Sequence, residues 1–320
     1  MKILITGSAG FIGSAICYRL ASDNKMVGVD VLEGISKSSN MIWEKIDITK
    51  PNSAAIICKR YIPDVVIHCA GIAHQKIGAV SMDTYKRVNS EATEKLAIEG
   101  AKSNPDLQFL FLSSVSVYGE NNLNFPVGEE SECFPSSAYA FSKLDAEKRL
   151  LTLVNKGIMK KLIILRLAPV YDREWSLNLD RRVFAPKKIA HLKFGYGQQK
   201  MSALARPNLV ALIQFLLQRH QKNKTVEIMN VCDAEPYEFN EIIRIFKNSN
   251  RHPNRLIIKI PLPVVWLATR IAGLIMGNKK KWIHSCYNKL SSSLVFDNTK
   301  MLETGFKPRH SLQTIFLNND

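Results

Sequence analysis

Tyr139 and Lys143 stand four residues apart in Tyr139-Ala140-Phe141-Ser142-Lys143. On a helix that spacing puts both side chains on one face. An ammonium beside a phenol favours the phenolate, so the pair predicts a tyrosine whose pKa falls below its usual value of about 10. Such a tyrosine can exchange protons near neutral pH. Ser114, which closes the apolar run Phe109-Leu-Phe-Leu-Ser113-Ser114, adds a small hydroxyl at the end of a strand-like segment. In open α/β sheets the carboxyl ends of the strands are where ligands bind. The chemistry expected is proton transfer at an oxygen. Tyr-x-x-x-Lys also occurs on solvated helices, so its weight depends on the elements that would position it.

Those elements begin at the amino end. Lys2-Ile-Leu-Ile-Thr6 reads as a short buried strand, and the apolar spacing Ile12, Ala15, Ile16, Leu20 reads as a helix. Between them lies Gly7-Ser-Ala-Gly10-Phe11-Ile12-Gly13. Glycines at such a strand–turn–helix junction allow a tight turn, close approach to a pyrophosphate and close packing of helix on strand. The amino end of the helix offers N–H groups to phosphate. A second strand, Met26-Val-Gly-Val-Asp30, ends in an acid 23 residues after Gly7. A carboxylate there would bind a ribose 2′-hydroxyl and repel a 2′-phosphate, which favours NAD over NADP. Lys37, close in sequence, would soften that preference.

Strand-like runs at 3–6, 26–30, 41–46, 65–68, 109–113 and 162–165 alternate with helical runs near 12–22, 53–60, 82–102 and 138–155. The alternation implies an α/β fold, a Rossmann-type doubly wound parallel sheet covered on both faces. After Ala168 the pattern breaks up, with helices expected near 208–220, 238–248 and 262–276. We read residues 1–167 as the dinucleotide-binding domain and 168–320 as a smaller α/β substrate-binding lobe, with segments that interleave. The irregular stretch 116–137 is too long for a plain connection and would fold over the substrate.

The chain has 320 residues, 46% of them apolar, and a net charge of +16. It carries no helix-turn-helix, zinc-finger or RRM-like signature, so no nucleic-acid partner is expected. The charge fits a plain basic surface, an anionic substrate such as a diphosphate, or attraction to anionic lipid. Six cysteines (17, 58, 69, 133, 232, 286) form no C-x-x-C, so neither a metal site nor a disulfide framework is expected. Unpaired thiols suit a reducing cytoplasm. The apolar start reads as a strand rather than a signal segment. The stretch 262–277 is apolar nearly all round, contains Arg270 and is followed by Asn278-Lys-Lys-Lys-Trp282. It is too short for a comfortable span of about 20 apolar residues. One reading is a buried helix of the substrate lobe. The other is weak peripheral membrane contact through 262–282, with Trp266 and Trp282 at the interface and the lysines on anionic headgroups.

Six motifs occur in order: Thr6 to Gly13, His68-Cys-Ala-Gly71, Val88-Asn89, Ser113-Ser-Val-Ser-Val-Tyr-Gly119, Tyr139 to Lys143, and Leu165-Arg166. Together they resemble the extended short-chain dehydrogenase/reductase family, in its nucleotide-sugar epimerase/dehydratase branch. The resemblance is strong over about residues 1–220, and Leu294-Val-Phe-Asp297 with Leu302 to Pro308 resembles the family's closing motif more loosely. It implies that Tyr139 is the acid/base at a sugar hydroxyl and that Lys143 holds the nicotinamide ribose. Ser114 would bond the reacting oxygen, with Ser116 as the fallback. Gly7, Gly10, Phe11, Ile12 and Gly13 would cradle NAD, Asp30 its adenosine ribose, and Asp47 with Ile48 its adenine. Ala70, Gly71 and Asn89 would line or support the cleft, and Pro169 would lie near the nicotinamide. Ser113 and Tyr118 read as structural, His68 as a satisfied strand-end histidine, and Arg166 as either a buried structural residue or a substrate contact. His74 receives no role.

Departures narrow the reading. Dehydratases of this branch carry Asp-Glu directly after the catalytic hydroxyl; here Val115 and Ser116 stand there, which argues against elimination of water. The arginine the family uses for the pyrophosphate is replaced by Lys200, with Arg206 a few residues on; either is a weak substrate candidate. The resemblance thus implies an NAD-dependent 4-epimerase of a nucleotide-diphosphate sugar, with reduction of a 4-keto sugar as the alternative. A non-catalytic dinucleotide-binding protein is the reading from another class. A homodimer is the oligomer considered.

Overall fold

Strand and helix alternate from the start. β1 (Lys2–Thr6), α1 (Phe11–Leu20), β2 (Lys25–Asp30), β3 (Met41–Lys45), α2 (Ser53–Tyr61) and β4 (Val65–His68) come first. α3 (Met82–Lys86), a π-helical turn (Arg87–Glu91), α4 (Ala92–Ser103), β5 (Gln108–Ser114), a 3-10 turn (Val115–Tyr118), α5 (Ala138–Asn155) and β6 (Lys161–Leu167) follow. The rest is built of shorter pieces: β7 (Val170–Tyr171), α6 (Leu177–Val183), β8 (His191–Phe194), β9 (Lys200–Met201) and β10 (Leu204–Ala205). Then come α7 (Arg206–Gln218), β11 (Thr225–Val231), β12 (Tyr237–Glu238), α8 (Phe239–Asn248) and β13 (Ile257–Ile260). The chain closes with α9 (Leu262–Ile275), α10 (Lys280–Ser291), α11 (Thr299–Glu303) and α12 (Leu312–Leu317). The computed structural model describes residues 1–34, 39–73, 79–119, 126–219, 225–249, 255–275 and 280–317. Lys37, His74 and the side chain of Trp282 lie outside the described residues.

Among the described residues seven strands form one sheet in the order β11-β6-β5-β4-β1-β2-β3. Thr6 of β1 lies opposite Val29 of β2 on one side and His68 of β4 on the other, both in parallel. The winding therefore reverses between β1 and β4, the crevice where doubly wound sheets take their ligands. β4 is buried at every residue and β5 at Phe109 to Ser113, as a sheet covered on both faces requires. The α/β fold class stands as expected.

Several elements depart from the sequence reading, α6, α10 and the short strands β7, β8, β9, β10, β12 and β13 among them. The run 82–102 is not one regular α-helix, because the π-helical turn interrupts it and carries Asn89. β11 was not anticipated: it sits at the sheet edge, half-buried with Val226 42% exposed, so its hydrophobic signal is weak. The helix expected near 262–276 is present as α9, but the buried reading of 262–277 fails, since α9 contains no buried residue.

The chain divides into two compact units: Met1–Gly119 with Pro135–Arg166 and Val210–Met229, and Glu120–Phe134 with Leu167–Leu209 and Asn230–Asp320. Relative to a single cut after 167, the segments 120–134 and 210–229 change sides. The first unit's core includes Leu4, Val66, Phe109, Phe111, Leu150 and Ile164. The second unit's core gathers Tyr171, Phe184, Phe246 and Phe316, with Phe184 stacked on Phe246 at 5.7 Å. Within it the buried Asp233 carboxylate accepts from Tyr171 (2.7 Å), Tyr237 (2.8 Å), Asn208 (2.7 Å) and the Ala205 amide (2.8 Å). Burial still holds that carboxyl above its ordinary pKa, although these bonds act to lower it.

Candidate active site

β5 ends at Ser114, whose hydroxyl caps the following turn by accepting from the Ser116 amide at 3.2 Å. Ser137 caps α5 in the same manner, accepting from the Ala140 amide at 3.2 Å. The two caps fix a strand end and a helix start, and there the Ser114 hydroxyl lies close enough to Tyr139 to favour its phenolate. Burial pushes the Tyr139 hydroxyl up to about 12, while the Ser114 hydroxyl acts to lower it. This corrects the sequence expectation of a lowered value. The Lys143 ammonium donates to the Leu112 carbonyl at 2.8 Å and lies 4.6 Å over the Phe111 ring, so its charge is engaged with β5. Burial brings Lys143 itself down to about 8, with Cys69 and Glu147 opposing that shift. The pair shares a helix face as predicted, but the phenol in this geometry rests neutral and protonated.

Gly71 and Asn89 close in on the same lysine. A β-carbon on Gly71 would stand 3.1 Å from Asn89 Oδ1 and 3.6 Å from Lys143 Nζ. Asn89, fully buried, accepts from the Ile72 amide (2.7 Å) and donates to the Ile72 carbonyl (3.1 Å) and to Ser142 Oγ (2.9 Å). Ser142 in turn donates to the Tyr139 carbonyl at 2.8 Å. Asn89 therefore ties the segment after β4 to the first turn of α5. A π-turn supplies the register shift that lets one side chain do this, and such turns gather at functional sites. His68 is satisfied at both ring nitrogens, by Thr6 (2.6 Å) and Thr93 (2.8 Å), and burial brings it down to about 3, so it stays neutral.

The glycine-rich turn is tight where the spacing required it. A β-carbon on Gly13 would fall 2.1 Å from the Gly7 carbonyl oxygen, and one on Gly7, at φ +68°, would fall 2.7 Å from the Ala70 amide nitrogen. Gly10, at the N-cap of α1, makes no side-chain hydrogen bond to the helix start, so the cap residue itself takes up none of its N–H groups. Asp30 Oδ2 accepts from the Ala9 amide at 3.0 Å and Oδ1 from the Leu32 amide at 3.1 Å. Each oxygen keeps a lone pair for a further donor. Asp47 accepts from the Thr49 amide (2.9 Å) and hydroxyl (2.7 Å); burial opposes its charge, and these bonds with Lys50 and Arg87 hold its carboxyl below the ordinary value. Ile48 is buried in the core. Among the described residues Ser8 Oγ and Ser116 Oγ are buried without a hydrogen-bond partner, which leaves two hydroxyls near the turn and the Ser114–Tyr139 pair for a ligand to satisfy.

The model of the NAD dependent epimerase/dehydratase family matches residues 3–232. The chain belongs to that family. A UDP-glucose 4-epimerase of Vibrio cholerae is 28% identical over 321 residues, covering 98% of this chain and 93% of the relative. A dTDP-glucose 4,6-dehydratase of Haemophilus influenzae is 29% identical over 164 residues, covering 45% of this chain and 48% of the relative. The crystal structure of a UDP-glucuronic acid 4-epimerase from Bacillus cereus, in complex with UDP-glucuronic acid and NAD, superposes with a TM-score of 0.75 at 22% identity. It covers 98% of this chain and 96% of that one, which is a likeness of fold. As a member of the NAD dependent epimerase/dehydratase family the protein is an enzyme whose cofactor is NAD.

For this family member the remaining candidates fall in the second unit. Pro169 lies between β6 and β7 and accepts from the Leu204 amide at 3.0 Å. Lys200 is exposed on β9, and Arg206 at the start of α7 is ion-paired with Asp172.

The sequence reading overlooked Glu147, one turn beyond Lys143. Arg166 grips it with Nη2 at 2.8 Å and Nε at 3.2 Å, Ser113 Oγ donates to it, and Arg166 Nη1 donates to Tyr118 at 2.9 Å. Glu147 and Arg166 are both buried. The signal was present as Tyr139, Lys143, Glu147, a repeat of four along one helix face. Arg166 and Tyr118, left open or read as structural, thereby back the strand end that carries Ser114.

Proposed function

We propose that this enzyme is a nucleotide-sugar 4-epimerase that works through a transient 4-keto sugar, with Tyr139 as its acid/base. The observation that carries the reading is Ser114 at the end of β5 beside Tyr139 at the start of α5, with Lys143 one turn on, and Val115 and Ser116 after Ser114 where an acid pair for dehydration would stand.

The residues present fit NAD. The close-packed Gly7, Gly10 and Gly13 with the glycine-capped start of α1 suit a pyrophosphate, and the spare acceptor capacity of Asp30 suits a ribose hydroxyl. Phe11, Ile12, Asp47, Ile48, Ala70, Gly71, Asn89 and Pro169 are proposed to line or support that site. Bound NAD would take the hydride from C4 of the sugar and return it to the opposite face. Tyr139, resting as a neutral phenol, is set to protonate a keto oxygen at C4. In the oxidising half-reaction Tyr139, first ionised to solvent, takes the proton of the C4 hydroxyl as a phenolate and returns that same proton in the reducing half; a lysine ammonium released from the Leu112 carbonyl towards the phenol favours the ionisation. Ser114 donates to the reacting oxygen as its charge changes. Lys200 is proposed to meet the substrate diphosphate; Arg206 can do so only by leaving Asp172.

The test is a panel of UDP-, dTDP- and GDP-sugars incubated without added NAD(H) and followed by NMR. Formation of the C4 epimer supports the proposal. Reaction of 4-keto sugars alone, and only with added NAD(P)H, would replace it with the reductase reading.

A further inference from the structure

α9 reverses the usual rule for a helix on a globular protein. Its inward face, at Leu262, Val265, Thr269 and Ala272, is only half-buried, while Val264, Leu267, Ile271, Leu274 and Ile275 follow helical spacing along the outward face. Leu274 and Ile275 are 84% and 79% exposed, and the others about half. An outward stripe of branched aliphatic side chains is far from the scattered single exposures of an ordinary surface. Trp266 flanks the stripe with the Arg270 guanidinium 4.9 Å over its ring. An aromatic ring and a long cationic side chain bordering an apolar face suit the boundary between acyl chains and headgroups.

Charge selects the occupant. Residues 242–296 contain ten Lys or Arg and no Asp or Glu, and so account for ten of the sixteen net positive charges. Among them Arg255 and Lys259 are exposed in and just before β13, directly ahead of α9. An acidic protein partner would match the charge but gives no reason for five large aliphatic side chains facing outward together. An anionic bilayer matches both. At 14 residues the helix is about 21 Å long, short of the roughly 30 Å of a hydrocarbon core. Among the described residues no helix is long and apolar enough to cross a membrane. We propose that α9 lies flat in the surface of an anionic membrane, its Val264–Ile275 stripe in the acyl boundary and Arg255, Lys259 and Arg270 on the headgroups.

The test is co-sedimentation with vesicles of phosphatidylglycerol and phosphatidylcholine at low salt, against vesicles of phosphatidylcholine alone. The full chain binds the anionic vesicles, and binding falls about tenfold when salt is raised to about 0.5 M. Leu267→Glu with Ile271→Glu removes it, and Arg255→Gln with Lys259→Gln weakens it by roughly thirtyfold. Both variants keep the wild-type circular dichroism spectrum and unfolding midpoint. No binding to anionic vesicles at low salt overturns the proposal, as does equal binding by the folded Leu267→Glu/Ile271→Glu variant. A lipid-free dimer that this variant dissociates also overturns it, by showing that a second copy covers the face.

Discussion

α5 and α9 break the same rule in opposite directions. α5 buries Ser142, Lys143 and Glu147 among Ala140, Ala146, Leu150 and Leu153. α9 turns Val264, Leu267, Ile271, Leu274 and Ile275 outward. A lysine and a glutamate are almost never fully buried unless paired, and five outward aliphatics on one helix form more than a chance patch. In α5 the cost of burial is offset locally: Lys143 meets the Leu112 carbonyl, and Glu147 meets Arg166 and Ser113. In α9 nothing within the described residues offsets the exposure. The difference separates a site completed inside the protein from one that the proposed membrane completes.

The strongest way to break the comparison is Tyr139→Phe. If α5 carries the chemistry, epimer formation should fall by about 10²–10⁴-fold while the purified protein still holds NAD. Unchanged turnover would remove the acid/base role. Next is Glu147→Gln, which leaves the buried Arg166 charge without its anion and should cost about 3–5 kcal/mol of stability in urea unfolding. Adding Arg166→Met should recover part of that loss; no recovery would show that the pair is not the unit that matters.

Lys143 offers a sharper test through pH. Its folded value of about 8 lies below the ordinary 10.5, so between those limits the unfolded chain holds a proton that the native state lacks. Stability from this group therefore rises with pH across that window, by at most about 1.4 kcal/mol per unit, and its burial cost is fully present below pH 8. Urea unfolding of wild type against Lys143→Met from pH 7 to 10 should show wild type gaining on the variant; parallel curves would place the ammonium in a solvated setting. The smallest effect is expected in α9. Leu267→Glu with Ile271→Glu should change stability by no more than about 0.5 kcal/mol, because these side chains leave no core behind. A large loss would mean that α9 is a packed helix after all.

Much of the first unit was legible because local patterns there agree with the fold. The glycine spacing at 7–13 demanded a turn that only glycine fits, and the contacts a β-carbon would make at Gly7 and Gly13 bear this out. α5 was expected over 138–155 and runs Ala138–Asn155. The misses share a cause, since each depends on a neighbour distant in sequence. β11 becomes a strand by pairing at the edge beside β6. Glu147 matters because Arg166 arrives from β6, and the buried reading of α9 failed because an apolar helix is buried or exposed according to what packs on it.

By itself the sequence determined which groups could act: a phenol, an ammonium and a hydroxyl after a glycine-rich turn, and no acid pair for dehydration at 115–116. Spacing along one helix is local geometry, so it could be read directly. Only the tertiary structure decided the electrical state of those groups. Burial holds Tyr139 protonated at about 12, and the Leu112 carbonyl draws the Lys143 charge towards β5. Desolvation and carbonyl partners arise from the packing of strands and helices far apart in the chain, and no spacing along the sequence encodes them.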